Sequence, residues 1–263
     1  MSHAAKSAAL IWAAAIAGGM AYASAAEGAS DLPAPFVYLS EIDPRIQQDM
    51  RYASENNFLG RAVDGYTAPQ CILTRETALS LKKVEDALLK KNLSLKVYDC
   101  YRPARGVRDF SRWSHKDGDE KMKQQYYPDY DKDELFARGF IASHSSHSRG
   151  NTVDLTIVPV DSAVPQFDPA KPLARCDAPA EQRAPDNSLD FGTGFDCFGP
   201  KSRTRSELIP QAAKDNRRML VEAMAEEGFW NYFREWWHFQ KSGAAMDEEY
   251  NFPIRVPGTT ADR

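Results

Sequence analysis

Histidine is scarce in this chain, and one histidine stands close to an aspartate in a segment that could bind a metal ion. The sequence holds five histidines, and His147 lies seven residues before Asp154 in the segment SHSSHSRGNTVDLTIV. Gly150 lies between the two and lets the chain turn before a strand begins. An imidazole nitrogen and a carboxylate oxygen are both zinc ligands, and a catalytic zinc site takes three protein ligands. The segment therefore predicts two ligands of such a site.

The segment EWWHF over residues 235–239 supplies the missing parts. His238 is the candidate third ligand, and Glu235 is a carboxylate that need not bind the metal. Residues three apart face opposite sides of an ideal strand, so we expect Glu235 at a turn or bulge. A metal ion makes water a good nucleophile near neutral pH, and a nearby Glu that moves its proton to the leaving amine completes amide hydrolysis. The pattern predicts a hydrolytic metal centre.

Each of these residues also has a structural interpretation. His147 alone could cap a turn, and Asp154 alone could be an ordinary polar residue of a strand. His115 and His144 occupy no motif position, and we expect them at the surface or beside the site rather than on the metal. The metal site is favoured because two separate segments each carry a ligand within an intact motif.

Hydrophobic periodicity places Asp154 on a strand. Between Thr152 and Val158, the apolar residues Val153, Leu155 and Ile157 alternate with polar ones, which is the period of two of a β-strand. Asp154 then lies on the polar face of that strand.

Other elements surround this strand. A second alternating strand, residues 93–97, leads into the segment DCYRP, which contains Arg102. Apolar residues at helical spacing predict helices over residues 74–91 and 210–227. The region between residues 159 and 210 is rich in Pro, Gly and Asp, and we expect a long loop there.

Composition limits the class of protein. Of 263 residues, 43% are hydrophobic and 27% charged, as in soluble globular proteins. The net charge is -4, and no Lys or Arg cluster is interleaved with aromatics, which disfavours nucleic acid as a partner. The elements predict an α+β single domain with a small antiparallel sheet and packed helices. We place this domain at residues 36–255, after a linker over residues 26–35 and before a C-terminal tail over residues 256–263.

The first 25 residues are typical of a secretory signal peptide. Lys6 provides a positive charge, residues 8–17 are apolar, and Ala-Ser-Ala at residues 23–25 has the form that signal peptidase cleaves. An uncleaved anchor is the alternative, but glycines at residues 18–19 interrupt the apolar run. We expect export, with the periplasm as the compartment, and no membrane span after cleavage.

Four cysteines are consistent with an oxidising compartment. They are Cys71, Cys100, Cys176 and Cys197, and they allow three pairings. We expect Cys71 with Cys100 and Cys176 with Cys197, because each pair brackets a local segment. Zinc thiolate ligation is the alternative, but the sequence has no CxxC spacing to support it.

The segments SSHSRGNTVDLT and EWWHF resemble the two metal motifs of the D-alanyl-D-alanine dipeptidases, the VanX-like branch of the zinc D,D-peptidases. The resemblance covers roughly residues 38–252. One departure is Thr152, where the family commonly has Ala. Further similar segments follow in the same order: DMRY at residues 49–52, NFLG at 57–60, VDGY at 63–66, DCYRP at 99–103 and LDFGT at 189–193.

This resemblance implies the roles of five residues. It implies one zinc ion per chain, bound by His147, Asp154 and His238. Glu235 would be the general base and acid, and Arg102 would stabilise the oxyanion of the tetrahedral intermediate. The implied fold is that of the hedgehog-like zinc D,D-peptidases. A structural ion pair is the alternative role for Arg102.

The resemblance also implies a substrate. The expected reaction is hydrolysis of the small dipeptide D-alanyl-D-alanine to two D-alanines, in cell-wall peptide turnover or scavenging outside the cytoplasm. Asp190 would bind the substrate ammonium group and Ser145 its carboxylate, although Asp190 could instead be a turn residue. The alternatives are a D,D- or L,D-carboxypeptidase that trims longer wall peptides, and a binding module without turnover. The oligomeric state is left open.

Overall fold

The computed structural model of the chain describes Met1, residues 32–243 and residues 248–259. Apart from Met1, the predicted signal peptide lies outside these residues, as do residues 26–31 of the predicted linker and residues 260–263 of the predicted tail. Within the described ranges, no helix combines the length and the apolar character needed to cross a membrane.

The chain alternates short strands with helices of varied length. The strands are β1 (Phe36–Tyr38), β2 (Gln47–Gln48), β3 (Ile72–Thr74), β4 (Leu93–Asp99), β5 (Thr152–Pro159), β6 (Phe229–Asn231) and β7 (His238–Lys241). The α-helices are α1 (Leu39–Ile42), α2 (Arg75–Leu89), α3 (Ala104–Ser114), α4 (Lys123–Tyr126), α5 (Glu134–Ala137) and α6 (Gln211–Glu226). Single 3-10 turns cover Arg51–Ala53, Ser146–Arg149, Ala180–Gln182 and Pro200–Ser202.

The longest predicted elements are confirmed. Helix α2 is the helix predicted over residues 74–91, and its N-cap Thr74 accepts a hydrogen bond from the Thr77 backbone N–H. That bond satisfies one of the amides that the first helical turn leaves free. The helix stops before Asn92, which has a left-handed φ of 59° that an α-helix does not contain. Helix α6 confirms the second predicted helix.

The central sheet has five strands in the order β2-β4-β5-β7-β6. Neighbouring strands are antiparallel, as predicted, except for the parallel pair β2 and β4. The chain passes from β2 through α2 before entering β4, and this crossover gives both strands the same direction. Strands β1 and β3 form a separate antiparallel pair. The architecture is a mixed α+β domain with small sheets.

The sheet is buried on both faces. On one face, Val153, Leu155 and Ile157 of β5 share an apolar cluster with Leu88 of α2 and Leu220 of α6. Burial of each such aliphatic side chain stabilises the fold by about 1.5–3 kcal/mol. Alternation along β5 directs Asp154 to the opposite face. A second cluster, rich in aromatic residues, covers that side of the molecule.

The predicted long loop between β5 and α6 is held at several points. Both predicted disulfides are present, Cys71–Cys100 and Cys176–Cys197, and the second lies within this region. Arg217 of α6 is buried and donates hydrogen bonds to the backbone carbonyls of Phe191, Lys201 and Arg203. Burial lowers the pKa of Arg217 to about 9. These contacts fix the loop against the helix.

Candidate active site

Two neighbouring strands and one tight turn bring the three predicted metal ligands together. Asp154 on β5 and His238 on β7 are paired residues in the sheet. His147 lies in the 3-10 turn Ser146–Arg149, directly before β5. Gly150 ends that turn with a φ of +74°, and a Cβ there would lie 2.2 Å from the Phe36 ring. The turn therefore requires glycine both for its backbone conformation and for space.

The three ligand atoms form a nearly equilateral triangle. Asp154 Oδ1 lies 3.3 Å from His147 Nε2 and 3.1 Å from His238 Nδ1, and the two nitrogens are 3.3 Å apart. Tetrahedral zinc with ligands at 2.0–2.1 Å separates them by about 3.3 Å. Asp154 Oδ1 is buried, and no group among the described residues donates a hydrogen bond to it. The donor set and its spacing fit zinc.

Neighbouring groups orient the imidazoles. His147 Nδ1 donates to the Cys100 carbonyl at 2.7 Å, which leaves Nε2 as the ligand nitrogen. Burial lowers the pKa of His238 and favours the neutral, metal-binding form, although Asp154 partly offsets this effect. Burial would raise the pKa of Asp154, but the two adjacent imidazoles outweigh it and hold that pKa well below its usual range. Asp154 is therefore available as an anionic ligand.

Glu235 lies in the turn between β6 and β7, as its spacing from His238 predicted. Its backbone N–H donates to the Tyr232 carbonyl at 3.0 Å, and its Oε2 lies 3.6 Å from His238 Nδ1. The residue is 9% exposed. Burial raises its pKa well above the usual value, and the negative charges of Asp154 and Asp196 add to this effect. A carboxyl group that holds a proton this readily beside the ligands is suited to proton transfer.

Arg102 lies close to the candidate ligands. Its Nη2 is 2.8 Å from Asp99 Oδ2 and 3.7 Å from Asp154 Oδ2. The guanidinium carbon lies about 5 Å from the ring centres of both Tyr52 and Phe110. Arg102 thus forms the structural ion pair that was the alternative interpretation of this residue. The same guanidinium also lines the cavity beside the candidate ligands. The two roles are compatible because the pair fixes the cation in place.

These groups line one cavity of about 230 Å³. It is smaller than the 300–1,000 Å³ that drug-sized ligands occupy. Four of its lining residues are phenylalanines: Phe58, Phe110, Phe140 and Phe198. A cavity of this size and lining suits a small, partly polar molecule.

Comparison with known proteins agrees with this chemistry. The peptidase M15 family model, described as D-ala-D-ala dipeptidase, matches residues 33–165 and 178–255, which is most of the chain. The chain belongs to this family. It is a metallopeptidase by that membership, and its fold and ligand cluster are consistent with the assignment.

Curated relatives of this M15 peptidase share one name, D-alanyl-D-alanine dipeptidase. The relative from Streptomyces coelicolor is 33% identical over 83% of the chain and 98% of its own length. The relative from Enterococcus faecalis is 32% identical over 82% of the chain and 93% of its own length. A third, from Escherichia coli, is 28% identical over 80% of the chain and 86% of its own length.

Of the two residues predicted to bind substrate in this M15 peptidase, one lines the cavity and the other does not. Ser145 lines the cavity and caps the turn that carries His147. Asp190 is not brought into this cavity. It forms an ion pair with Arg183, accepts a hydrogen bond from the Gly192 backbone N–H at 2.8 Å, and borders a separate depression. These contacts are typical of a turn residue, which was the alternative interpretation of Asp190.

A different aspartate, which sequence reasoning missed, lies in the cavity. Asp196 is 4% exposed, and its Oδ2 accepts a hydrogen bond from the Tyr52 hydroxyl at 2.7 Å. Burial raises its pKa to about 8, and the charge of Asp154 adds to that shift. The sequence contained one signal for Asp196. This residue follows Gly194-Phe195 and directly precedes Cys197, and a cysteine in a disulfide restricts the backbone of the residue beside it. Residue type alone does not separate Asp196 from Asp190.

Proposed function

We propose that this M15 peptidase is a zinc enzyme, with one ion per chain, that hydrolyses D-alanyl-D-alanine to two D-alanines. The observation that carries the proposal is the position of Asp196, a buried carboxylate in the same small cavity as the three metal ligands. Burial raises the pKa of Asp196 to about 8, but a free ammonium group beside it favours the ionised carboxylate that pairs with it, and the cavity volume limits the length of the peptide. The shared name of the curated relatives supports this substrate.

Glu235 carries the proton in the proposed reaction. Zinc, when bound by His147, Asp154 and His238, polarises the scissile carbonyl and lowers the pKa of water. The Glu235 carboxylate removes the proton of the attacking water and then donates it to the amine that leaves. Burial beside His238 suits Glu235 to this exchange because its raised pKa stabilises the protonated state between the two steps.

Arg102 stabilises the negative charge that develops on the carbonyl oxygen. Its guanidinium is fixed by Asp99 through Nε at 3.0 Å and Nη2 at 2.8 Å. A donor that is already fixed costs no reorganisation when charge appears in the transition state. The rings of Tyr52 and Phe110 shield it from water and strengthen this interaction.

Two groups hold the ends of the dipeptide. Asp196 pairs with the ammonium group of the substrate. The Tyr52 hydroxyl orients the Asp196 carboxylate by donating a hydrogen bond to it. Ser145, in the role proposed from the sequence, donates its hydroxyl to the substrate carboxylate. Recognition of both ends positions the single amide bond beside Glu235, which converts binding energy into orientation of the reacting groups.

The setting proposed for this reaction is the periplasm, in wall-peptide turnover or scavenging. Two disulfides within the described residues are compatible with an oxidising compartment, and the N-terminal segment has the pattern of a signal peptide. We also infer the hedgehog-like zinc D,D-peptidase fold, which the mixed α+β architecture and the family membership support.

Substrate length separates this proposal from a carboxypeptidase that trims longer peptides. D-Ala-D-Ala, N-acetyl-D-Ala-D-Ala and a D-alanyl tripeptide are compared by kcat/KM with the purified zinc enzyme. Acetylation removes the ammonium charge and leaves the buried Asp196 without its partner, so we expect a loss of at least about a hundredfold. Equal rates on the acetylated dipeptide would support the carboxypeptidase instead. Hydrolysis of none of these peptides, with zinc bound, would support a binding module.

A further inference from the structure

Asp196 has a backbone conformation that needs support. Its φ is +55°, in the left-handed region that residues with a side chain rarely adopt. The segment around it contains no helix or strand within the described residues. Such a segment has no ladder of backbone hydrogen bonds of its own, so contacts with other parts of the chain hold its conformation. A well-placed Asp196 carboxylate therefore depends on contacts made by its neighbours in the chain.

Those contacts come from two other parts of the molecule. On one side, the Gly194 backbone N–H donates to the Cys176 carbonyl at 2.8 Å. On the other side, the Phe198 backbone N–H donates to the Tyr126 carbonyl at 2.7 Å. Between them, Cys197, the residue directly after Asp196, is joined to Cys176 by a disulfide. The covalent bond and a hydrogen bond to the same residue, Cys176, thus bracket Asp196.

Cys176 belongs to a segment that the family model leaves unmatched. The match ends at residue 165 and resumes at residue 178, so residues 166–177 lie outside it. Cys197 and Asp196 lie inside the matched part. The unmatched segment thus supplies a covalent anchor for a residue of the catalytic cavity.

We propose that Cys176 is a positioning residue for substrate binding, whose disulfide with Cys197 holds Asp196 so that its carboxylate faces the substrate ammonium group. This inference rests on the proposed function of Asp196. A cross-link restricts the conformations open to the chain between its ends, and these ends are 21 residues apart. The disulfide is expected to affect binding of the substrate's amino end, because Glu235 and the metal ligands lie on other elements.

The test is the double variant Cys176→Ser/Cys197→Ser, which removes the bond without leaving a free thiol. We expect KM for D-Ala-D-Ala to rise about tenfold or more, because preorganisation of the ammonium partner is lost. We expect kcat to stay within about threefold and zinc content to be unchanged. A KM equal to that of the unmodified enzyme would overturn the inference.

A double-mutant cycle with Asp196→Ala shows whether the disulfide acts through Asp196. If it does, the Asp196→Ala variant should have the same KM, within about twofold, with and without the disulfide. The reason is that the carboxylate being positioned is absent from both proteins. An additional rise in KM as large as in the unmodified background would show that the disulfide acts on the cavity by another route, and would contradict the inference.

Folding defects are separable from this effect. A misfolded fraction lowers the apparent kcat but leaves KM unchanged, because only folded molecules turn over substrate. The other disulfide gives a contrasting control: the Cys100 carbonyl accepts the hydrogen bond from His147 Nδ1, so Cys71→Ser/Cys100→Ser is expected to lower zinc content rather than raise KM. Absence of D-Ala-D-Ala hydrolysis in the unmodified enzyme would reject the proposed function but not the positioning itself.

Hydrogen exchange tests the positioning without any catalytic readout. In the unmodified protein, the amides of Gly194 and Phe198 are protected by their hydrogen bonds. Reduction of the disulfides is expected to raise their exchange rates at least about tenfold. Unchanged exchange of both amides after complete reduction would overturn the inference.

Discussion

Asp154 and His238 are partners across two neighbouring antiparallel strands, and their Oδ1 and Nδ1 atoms lie 3.1 Å apart. The sheet itself therefore sets the spacing of two candidate metal ligands, since the register of β5 and β7 fixes their Cα positions. The loop residue His147 only needs to approach this pair from the turn before β5. A site built this way is rigid, and metal binding requires little rearrangement of the backbone.

Replacing Glu235 by Gln removes the proton carrier but keeps the size of the side chain. We expect kcat for D-Ala-D-Ala to fall by about 10²–10⁴, with zinc content unchanged, because the amide cannot accept the water proton. Glu226→Gln, at the exposed end of α6, is the matched control and should leave kcat unchanged. Retention of full activity by Glu235→Gln would contradict the role of general base.

Arg102→Lys keeps the charge but removes the planar pair of donors. We expect kcat to fall by about 10²–10³, since a compact ammonium group lacks the planar fork by which the guanidinium pairs with Asp99 and still presents donors to the developing oxyanion. Arg108→Lys, on the exposed part of α3, should behave like the unmodified enzyme. Steady-state kinetics and zinc content check both variants. A rise in KM with kcat unchanged would instead assign Arg102 to ground-state binding.

Alanine variants of the two aspartates in the 189–196 region should differ in their effect on KM. Asp196→Ala removes the charge that pairs with the ammonium group, so we expect KM to rise roughly ten- to a hundredfold. Asp190→Ala leaves the cavity intact and should change KM by less than about twofold. It removes the partner of Arg183 and of the Gly192 amide, which we expect to lower the free energy of unfolding by about 1 kcal/mol. The reverse pattern would restore the assignment made from sequence.

Gly150→Ala tests the turn that positions His147. The left-handed backbone costs about 1–2 kcal/mol for alanine, and the new Cβ would overlap the Phe36 ring, which adds about 1–3 kcal/mol. Gly118→Ala is the matched control, because Gly118 has a φ of +73° but no atom within 4 Å of an added Cβ. Denaturant unfolding should therefore show a larger loss of stability for Gly150→Ala. Equal losses would show that backbone strain alone explains the glycine.

The sequence predicted that His147, Asp154 and His238 lie together with Glu235 beside them, because each of the two segments carries an intact motif. His147 and Asp154 are separated by one turn, and Glu235 and His238 by another, so chain connectivity brings each pair close. The two pairs meet because β5 pairs with β7. The period of two along β5 placed Asp154 on the correct face. The positions of side chains within each segment need only short-range rules of strand and turn geometry.

The features that sequence missed depend on tertiary structure. Which aspartate faces the cavity is decided by the left-handed backbone of Asp196 and by the backbone hydrogen bonds of its neighbours to distant residues, and neither is visible in residue type. Lys96 lies on the polar face of β4 but is fully buried, because its ammonium pairs with Asp186 at 2.7 Å. The parallel strand β2 has two residues, which is too short for any period to appear.

The most direct test of the whole account is D-alanine release from D-Ala-D-Ala by the purified protein, with bound zinc counted in parallel. The same sample is measured as zinc enzyme, after removal of the metal with a chelator, and after zinc is returned. We predict one zinc per chain, a loss of at least about a hundredfold on removal, and recovery on reloading, because water activation depends on the metal. Hydrolysis that persists at full rate without metal, or a zinc-loaded protein that leaves the dipeptide intact, would contradict the account.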